Sequence, residues 1–296
     1  MSALDGARVL VTGASGRIGS VATARLRRAG ASVTTLSRQE NPELEADRVL
    51  VGDTRSQDDV AGALDGVDLV VHLAALAHRD IAPAYDVYTT NVVSTFNVLA
   101  QAGALGIRRA VVAGSINAYG LPQNVHEVTP AYFPLDTDIP VDIGDWYSLS
   151  KHNDEATSRM AWRHWGIDVV TLRFPHVNSP EALLAQSRDL ARDPRAGLRE
   201  GWSYLTTRDA ARAIELGLTA RTTGAHAFFL AANRTHAPYR TEEMLEAFAP
   251  GTPRLRRFVG REVPIDLTPA RELIGFEAHD EIDVPTLDLP SDLVSP

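Results

Sequence analysis

The chain of 296 residues contains no cysteine. Disulfides, thiolate metal sites and cysteine nucleophiles are thereby excluded, and the composition fits a reducing compartment. No apolar run approaches the length a bilayer-spanning helix needs. The N-terminus passes from Met1-Ser2-Ala3-Leu4-Asp5-Gly6 straight into an apolar strand, without the basic and apolar regions of a secretion signal. A cytoplasmic protein with no membrane partner is the expectation. A basic stripe is missing as well. The formal charge is −9, and seven acidic residues follow the last basic one, Arg271: Glu272 directly, then Glu277, Asp280, Glu281, Asp283, Asp288 and Asp292 in the tail. The body that remains is mildly acidic, a poor match to nucleic acid. None of the nine histidines has another three or four residues away, so there is no helical zinc-type pair and no metal is expected. Internal repeats and low-complexity tracts are absent too.

What is present is an ordinary globular composition, 44% apolar and 23% charged, which rules out a disordered chain. Short Val- and Leu-rich runs at Arg8–Val11, Ser32–Leu36, Val49–Val51, Leu69–Leu73, Ala110–Ala113 and Asp168–Phe174 read as strands buried on both faces. Between them lie segments with helical spacing: Ile18–Ala29, Val60–Leu64, Tyr85–Ala104 and Tyr147–Trp165, the first and last closed by Gly30 and Gly166. Regular alternation of this kind predicts an α/β fold with a doubly wound parallel sheet.

After Phe174 the pattern loosens. A polar stretch runs from Asn178 to Gly201, a helix spans about Arg208 to Ala220, and the apolar run Ala225–Ala232 is placed to rejoin the sheet. Residues 1–175, rejoined by 203–232, are expected to form the nucleotide-binding domain; 176–202 and 233–296 are expected to form a small substrate-binding lobe and an acidic tail, solvated or loosely docked. A late helix starts with Thr268 as N-cap and Pro269 at its first position, and ends before Gly275. The 26 residues between Gly120 and Tyr147 carry four prolines. So long a connector reads either as a substrate-facing flap or as a structural surface loop.

Thr12-Gly13-Ala14-Ser15-Gly16-Arg17-Ile18-Gly19 follows a strand and opens a helix. In a βαβ context this lets the backbone turn, approach a pyrophosphate closely and present helix N-terminal amides to it, as in a Rossmann dinucleotide site. The spacing is Gly-x-x-Gly-x-x-Gly, and Ser37-Arg38 stands where an acidic residue would read the ribose. A hydroxyl and a guanidinium suit a 2′-phosphate, so NADP is favoured and NAD placed second. Arg38 can equally be a surface arginine, with Glu40 able to serve the ribose. Asp53, beside Thr54, either accepts from an adenine amino group or caps the following helix. Leu73, Ala74 and Ala75 end the fourth strand with residues small enough for a cofactor to lie against them, or simply for packing.

Tyr147 and Lys151 are four residues apart on a predicted helix and share one face. Tyrosine, with a pKa of about 10, is a poor proton carrier until a cation favours its phenolate, and a three-unit shift needs about 4 kcal/mol. Ser115 ends a strand at the carboxyl edge of the sheet, where open α/β folds bind ligands. Each feature alone is common, but together they predict a redox enzyme with Ser115, Tyr147 and Lys151 as its proton-transfer set.

With these residues the chain resembles the extended short-chain dehydrogenase/reductase family, in particular its NAD-dependent epimerase/dehydratase branch. The resemblance rests on Thr12–Gly19, Asp53, His72–Ala75, Thr90-Asn91-Val92, Ser115–Gly120, Tyr147–Lys151, Leu172-Arg173-Phe174 and Leu273-Ile274-Gly275-Phe276. It implies hydride transfer between a sugar carbon and the nicotinamide. Tyr147 moves the hydroxyl proton, Ser115 polarises the oxygen, and Lys151 tunes the tyrosine and holds the ribose. Asn91 and Phe174 join the cofactor set, and Asn117 and His176 join Ser115 on the substrate. His176 replaces the asparagine of nucleotide-sugar members, only 35 residues separate Arg173 from Asp209, and Trp202 or Ser203 stands where a diphosphate arginine would be. That short segment resembles uronate dehydrogenases, which act on free sugar acids. The leading expectation is therefore an NAD(P)-dependent dehydrogenase of a sugar, sugar acid or polyol. The alternatives are a nucleotide-sugar epimerase or dehydratase with retained NAD, and a non-catalytic dinucleotide sensor. Family resemblance also implies a homodimer through the Tyr85–Ala104 and Tyr147–Trp165 helices.

Overall fold

The computed structural model describes residues 3–294. Nine strands and eight α-helices follow in chain order: β1 Arg8–Thr12, α1 Arg17–Arg28, β2 Ser32–Ser37, β3 Arg48–Val51, α2 Gln57–Leu64, β4 Leu69–His72, α3 Ala84–Ala104, β5 Arg109–Ser115, α4 Trp146–Trp165, β6 Asp168–Phe174, β7 His176–Asn178, α5 Pro180–Arg192, β8 Tyr204–Thr206, α6 Thr207–Thr219, β9 Ala225–Phe229, α7 Thr241–Phe248 and α8 Thr268–Ile274. Seven strands form one parallel sheet in the order β3-β2-β1-β4-β5-β6-β9, while β7 and β8 pair in parallel apart from it. This is the doubly wound Rossmann architecture.

Alternation along β1 shows why both faces are covered. Val9 and Val11 face a core shared with α1, α6 and α8, whereas Leu10 faces a second core shared with α2, α3 and α4. The strand order reverses direction at β1 and β4, whose carboxyl ends part to open a crevice, the usual ligand site of such sheets. Thr12 lies beside His72 in that register, and further along Ser115 lies beside Phe174.

Several boundaries differ from the sequence reading. Helix α2 begins three residues earlier than expected because Ser56 caps it through Asp59 N and Asp58 and Asp59 occupy its first turn, polar positions that apolar periodicity does not register. The polar stretch after Asn178 contains α5, capped by Ser179 with Pro180 in its first turn and burying Leu183 and Leu190. In α8 Thr268 is already helical rather than the N-cap; the carboxylate of Asp266 accepts from its amide at 3.0 Å.

The long connector after Gly120 is no free flap. Phe133, Leu135 and Ile139 are buried in a third core with Trp202, Tyr239, Val263 and Ile265, and Phe133 and Leu135 bridge to Arg254 and Ile265. The acidic tail is docked too. Asp209 accepts from the amides of His279 and Asp280, each at 2.8 Å, Arg208 forks the Asp280 carboxylate, and Ile282 and Val284 are buried. No helix among the described residues is long and apolar enough to cross a membrane.

Candidate active site

At the carboxyl edge of the sheet lies a cavity of about 760 Å³. Of the residues singled out in the sequence, Gly13, Ser15, Gly16, Arg17, Ile18, Gly19, Ser37, Arg38, Asp53, Thr54, Leu73, Ala74, Ala75, Ser115, Asn117, Tyr147, Lys151, Phe174 and His176 all line it. Asn91 does not. It is buried and fully engaged, pairing with both the N–H and the carbonyl of Leu76 and donating to Ser150 Oγ. Its work is to clamp the segment after β4 onto α4, and Thr90 beside it reaches the cavity instead.

The glycine loop is built by close approach. Gly13 has φ +67°, and a Cβ there would sit 2.7 Å from Ala74 N; at Gly19 it would sit 2.3 Å from Gly13 O. These two glycines pack the loop against β4 and against α1. Gly16 differs, because a Cβ there meets only Gly13 O at 3.2 Å and otherwise opens onto the cavity. It is also the N-cap of α1, which has no side-chain cap and no acidic residue in its first turn. Unclaimed amides at a positive helix end form a cradle for an anion. A dinucleotide pyrophosphate fits these residues.

Around that cradle the polar groups are already partly committed. Ser37 Oγ accepts from Ser15 N at 3.1 Å, leaving its own proton to donate. Arg38 is exposed at the rim, and its charge helps hold the Asp53 carboxyl below the usual range, after the larger effect of Arg55. Asp53 is forked by the Arg55 guanidinium, at 2.6 Å for the shorter contact, and the cap of α2 is Ser56 rather than Asp53. Arg17 spans the cavity to donate to the Val177 carbonyl at 3.0 Å, tying the glycine loop to β7.

The catalytic candidates meet on one wall. Ser115 ends β5 and caps the 3-10 turn Ile116–Tyr119, its Oγ accepting from Asn117 N at 3.1 Å and Asn117 Nδ2 at 3.2 Å. With both lone pairs taken, the Ser115 proton is the part left for a ligand oxygen. Helix α4 starts at the Asp145 cap, which binds Ser148 N at 2.9 Å, and so places Tyr147 and Lys151 in its first two turns. Both are buried, 5% and 4% exposed, yet line the cavity. Lys151 Nζ donates to the Ala113 carbonyl at 3.0 Å and to Asp154 Oδ2 at 3.1 Å. A buried donor set of this kind can deliver a proton to, or take one from, a hydroxyl carbon's oxygen.

The far end of the cavity holds residues that sequence reasoning missed: His78, Pro122, Gln123, Ala196, Arg199 and Glu200. Arg199 donates to the Asn124 carbonyl at 2.9 Å, and its own carbonyl accepts from the Tyr119 hydroxyl. Burial pushes the Glu200 carboxyl up to about 7, with no neighbouring charge or hydrogen bond contributing. Burial, and then Arg17, lower the pKa of His176. Trp202, which the resemblance sets at the position of a diphosphate arginine, is fully buried, its indole donating to Pro194 O at 2.6 Å. In sequence that segment reads only as part of the polar stretch from Asn178 to Gly201, and no periodicity there marks which side chains of the 3-10 helix Pro194–Glu200 face the cavity.

The family model for the NAD dependent epimerase/dehydratase family matches residues 9–226. The chain belongs to that family. Among characterised members it is 31% identical to L-arabinose 1-dehydrogenase (NAD(P)(+)) of Haloferax volcanii over 57% of this chain and 66% of that protein. It is 30% identical to dTDP-4-dehydro-6-deoxy-D-allose reductase of Streptomyces bikiniensis over 59% of this chain and 57% of that one. The alignments thus span a little over half to about two thirds of those relatives. Among solved structures, a short-chain dehydrogenase/reductase superfamily protein of Agrobacterium tumefaciens with bound NAD superposes with a TM-score of 0.69 at 23% identity, covering 93% of each chain. That likeness establishes the fold.

Proposed function

We propose that this family member is an NAD(P)-dependent dehydrogenase acting on a hydroxyl or carbonyl of a free sugar, sugar acid or polyol. The observation that carries it is the junction of Ser115, Tyr147 and Lys151 on the wall of a cavity whose other end is the Gly16 cradle. A bound nicotinamide supplies the hydride acceptor or donor. Ser115 offers its free proton to the reacting oxygen and fixes its position; Tyr147 carries the proton that accompanies the hydride; Lys151 opposes the cost of a phenolate there. A sensor would have no use for this set.

The dehydrogenase reading is preferred to the nucleotide-sugar epimerase because Trp202, which the resemblance sets at the position of a diphosphate arginine, is buried in the third core, and the short segment before it puts Ala196, Arg199 and Glu200 on the cavity wall. The sugar specificity is supported by the relatives named as an arabinose dehydrogenase and a deoxysugar reductase. For the cofactor we favour NADP, since Ser37 retains a proton to donate and Arg38 stands at the rim. A homodimer through α3 and α4 is supported by Val93, Phe96, Leu149 and Trp162, each at least 40% exposed on those helices; sedimentation of Phe96→Glu beside the parent protein tests it.

The deciding experiment mixes the protein with NADP or NAD and a panel of free sugars, uronic acids and polyols, and follows reduced nicotinamide. Net accumulation is expected. Isomerisation of a nucleotide sugar without net reduction would replace this reading with the epimerase.

A further inference from the structure

Beneath the catalytic wall lies a file of buried polar groups that the reaction as described does not use. Thr12 Oγ1 accepts from the amides of Leu73 and Ala74 at 3.2 and 3.3 Å, so its proton goes to His72 Nδ1, 2.8 Å away. That fixes the tautomer: His72 carries its hydrogen on Nε2 and donates to Thr95 Oγ1 at 3.2 Å. Burial, and then the Lys151 charge, push the His72 pKa down to about 3, in keeping with a neutral ring. Burial raises the Asp154 carboxyl, and the Lys151 charge and then the Thr95 hydroxyl on the facing helix work against that rise. Beside this file lies Asp154, 1% exposed and 3.1 Å from Lys151 Nζ through Oδ2, while its Oδ1 has no hydrogen-bond partner among the described residues.

We propose that Asp154 is a positioning residue that keeps Lys151 an ammonium and aims it beside Tyr147. The proposal rests on reading Tyr147 and Lys151 as the proton-transfer pair. The physical need is plain, because a lysine buried this deeply loses its charge unless something opposes the loss. Burial alone would lower the Lys151 pKa, but the Asp154 charge, Tyr147 and the hydrogen bond to Asp154 together raise it. Two of the three ammonium protons are spent on Ala113 O and Asp154 Oδ2, which leaves one for the cavity side. The other groups around the pair do not replace Asp154. Glu155 on the same helix is consumed by Arg173 of β6 at 2.7 Å, His72 of β4 is neutral, α3 supplies the Thr95 hydroxyl, β5 supplies the Ala113 carbonyl, and Tyr119 of the adjoining 3-10 turn is held neutral by burial.

Lys151 is also the only lysine of the chain, which makes its charge directly readable. Competitive acetylation with acetic anhydride across pH 6 to 12, followed by mass spectrometry of the peptide containing Lys151, measures its protonation with neither substrate nor cofactor present. In the parent protein the labelling midpoint should lie above the ordinary lysine value of 10.5. Asp154→Asn should lower it by about two units or more, and Asp154→Ser, smaller and neutral, should do the same where the amide disturbs folding. Asp154→Glu should restore a high midpoint. In parallel, kcat of the Asn variant should acquire an alkaline limb that the parent lacks, whereas a purely structural role would lower kcat equally at every pH. An unchanged midpoint in both neutral variants would overturn the proposal. Because the labelling needs no turnover, silence on the sugar panel would count against the dehydrogenase reading and leave the Asp154 result standing.

Discussion

The two ends of the cavity are made of different material. The cofactor end is backbone: Gly13 and Gly19 pressed against their neighbours, Gly16 open to the ligand, and the first amides of α1. The far end is side chains, Asn117, Gln123, His176, Arg199 and Glu200, drawn from three segments that together span more than 80 residues of sequence. Backbone can bind only what every member of a cofactor class shares, whereas side chains discriminate. One end therefore speaks of reaction type and the other of substrate, and Tyr147 and Lys151 stand where they meet.

The largest effect should come at that meeting point. Tyr147→Phe should lower kcat by about 10²- to 10⁴-fold with dinucleotide affinity nearly unchanged, as read by steady-state kinetics and a binding titration. Substantial residual turnover would remove Tyr147 from the mechanism. Next, Gly19→Val breaks the backbone end outright, since its Cβ would lie 2.3 Å from Gly13 O. A loss of about 3 kcal/mol in denaturant unfolding, with loss of dinucleotide binding, is the expected outcome.

Arg38→Asp keeps the backbone and changes only its rim. The ratio of kcat/KM for NADP over NAD should fall about tenfold or more, equivalent to ~1.4 kcal/mol, and an unchanged ratio would assign the 2′-position to other residues. At the opposite end Glu200→Gln tests a buried acid. Its carboxyl holds a proton in the folded protein up to about pH 7, against an ordinary value of 4.5, so between those values the folded state binds more protons and stability falls as pH rises. The variant should melt higher than the parent at pH 8 and show no such advantage at pH 4; parallel melting curves would refute the shift. Arg208→Ala, which cuts an ion pair 66% exposed on the arginine side, should cost less than about 1 kcal/mol, because buried groups rather than that pair hold the tail.

The same contrast explains what the sequence disclosed. Strand and helix alternation, the glycine loop, Ser115 and the Tyr147–Lys151 spacing are local patterns, and the sheet and cofactor end were legible from them. Glu200 and Gln123 reach the cavity only because α5 and the connector after Gly120 pack into the third core, which no local pattern encodes. Asn91 misled for a related reason. A buried asparagine that clamps Leu76 and Ser150 looks, in sequence, like one that faces a ligand. Asp154 was overlooked because an acid three residues after a lysine on a helix is usually a surface pair.

The docked tail sets an order of events. The Tyr204 hydroxyl accepts from Ile282 N at 3.1 Å, and Asp209, at the start of α6, accepts from the amides of His279 and Asp280 through Oδ2, so β8 and the wall beside it are fastened by residues translated some 70 positions later. The strand and helix that carry the Gly16 cradle share one core with α6, α8 and the tail residues Ile282 and Val284, and domains fold as units. The nucleotide cradle and the substrate wall are thus completed together, once the tail has emerged to close the core beneath both.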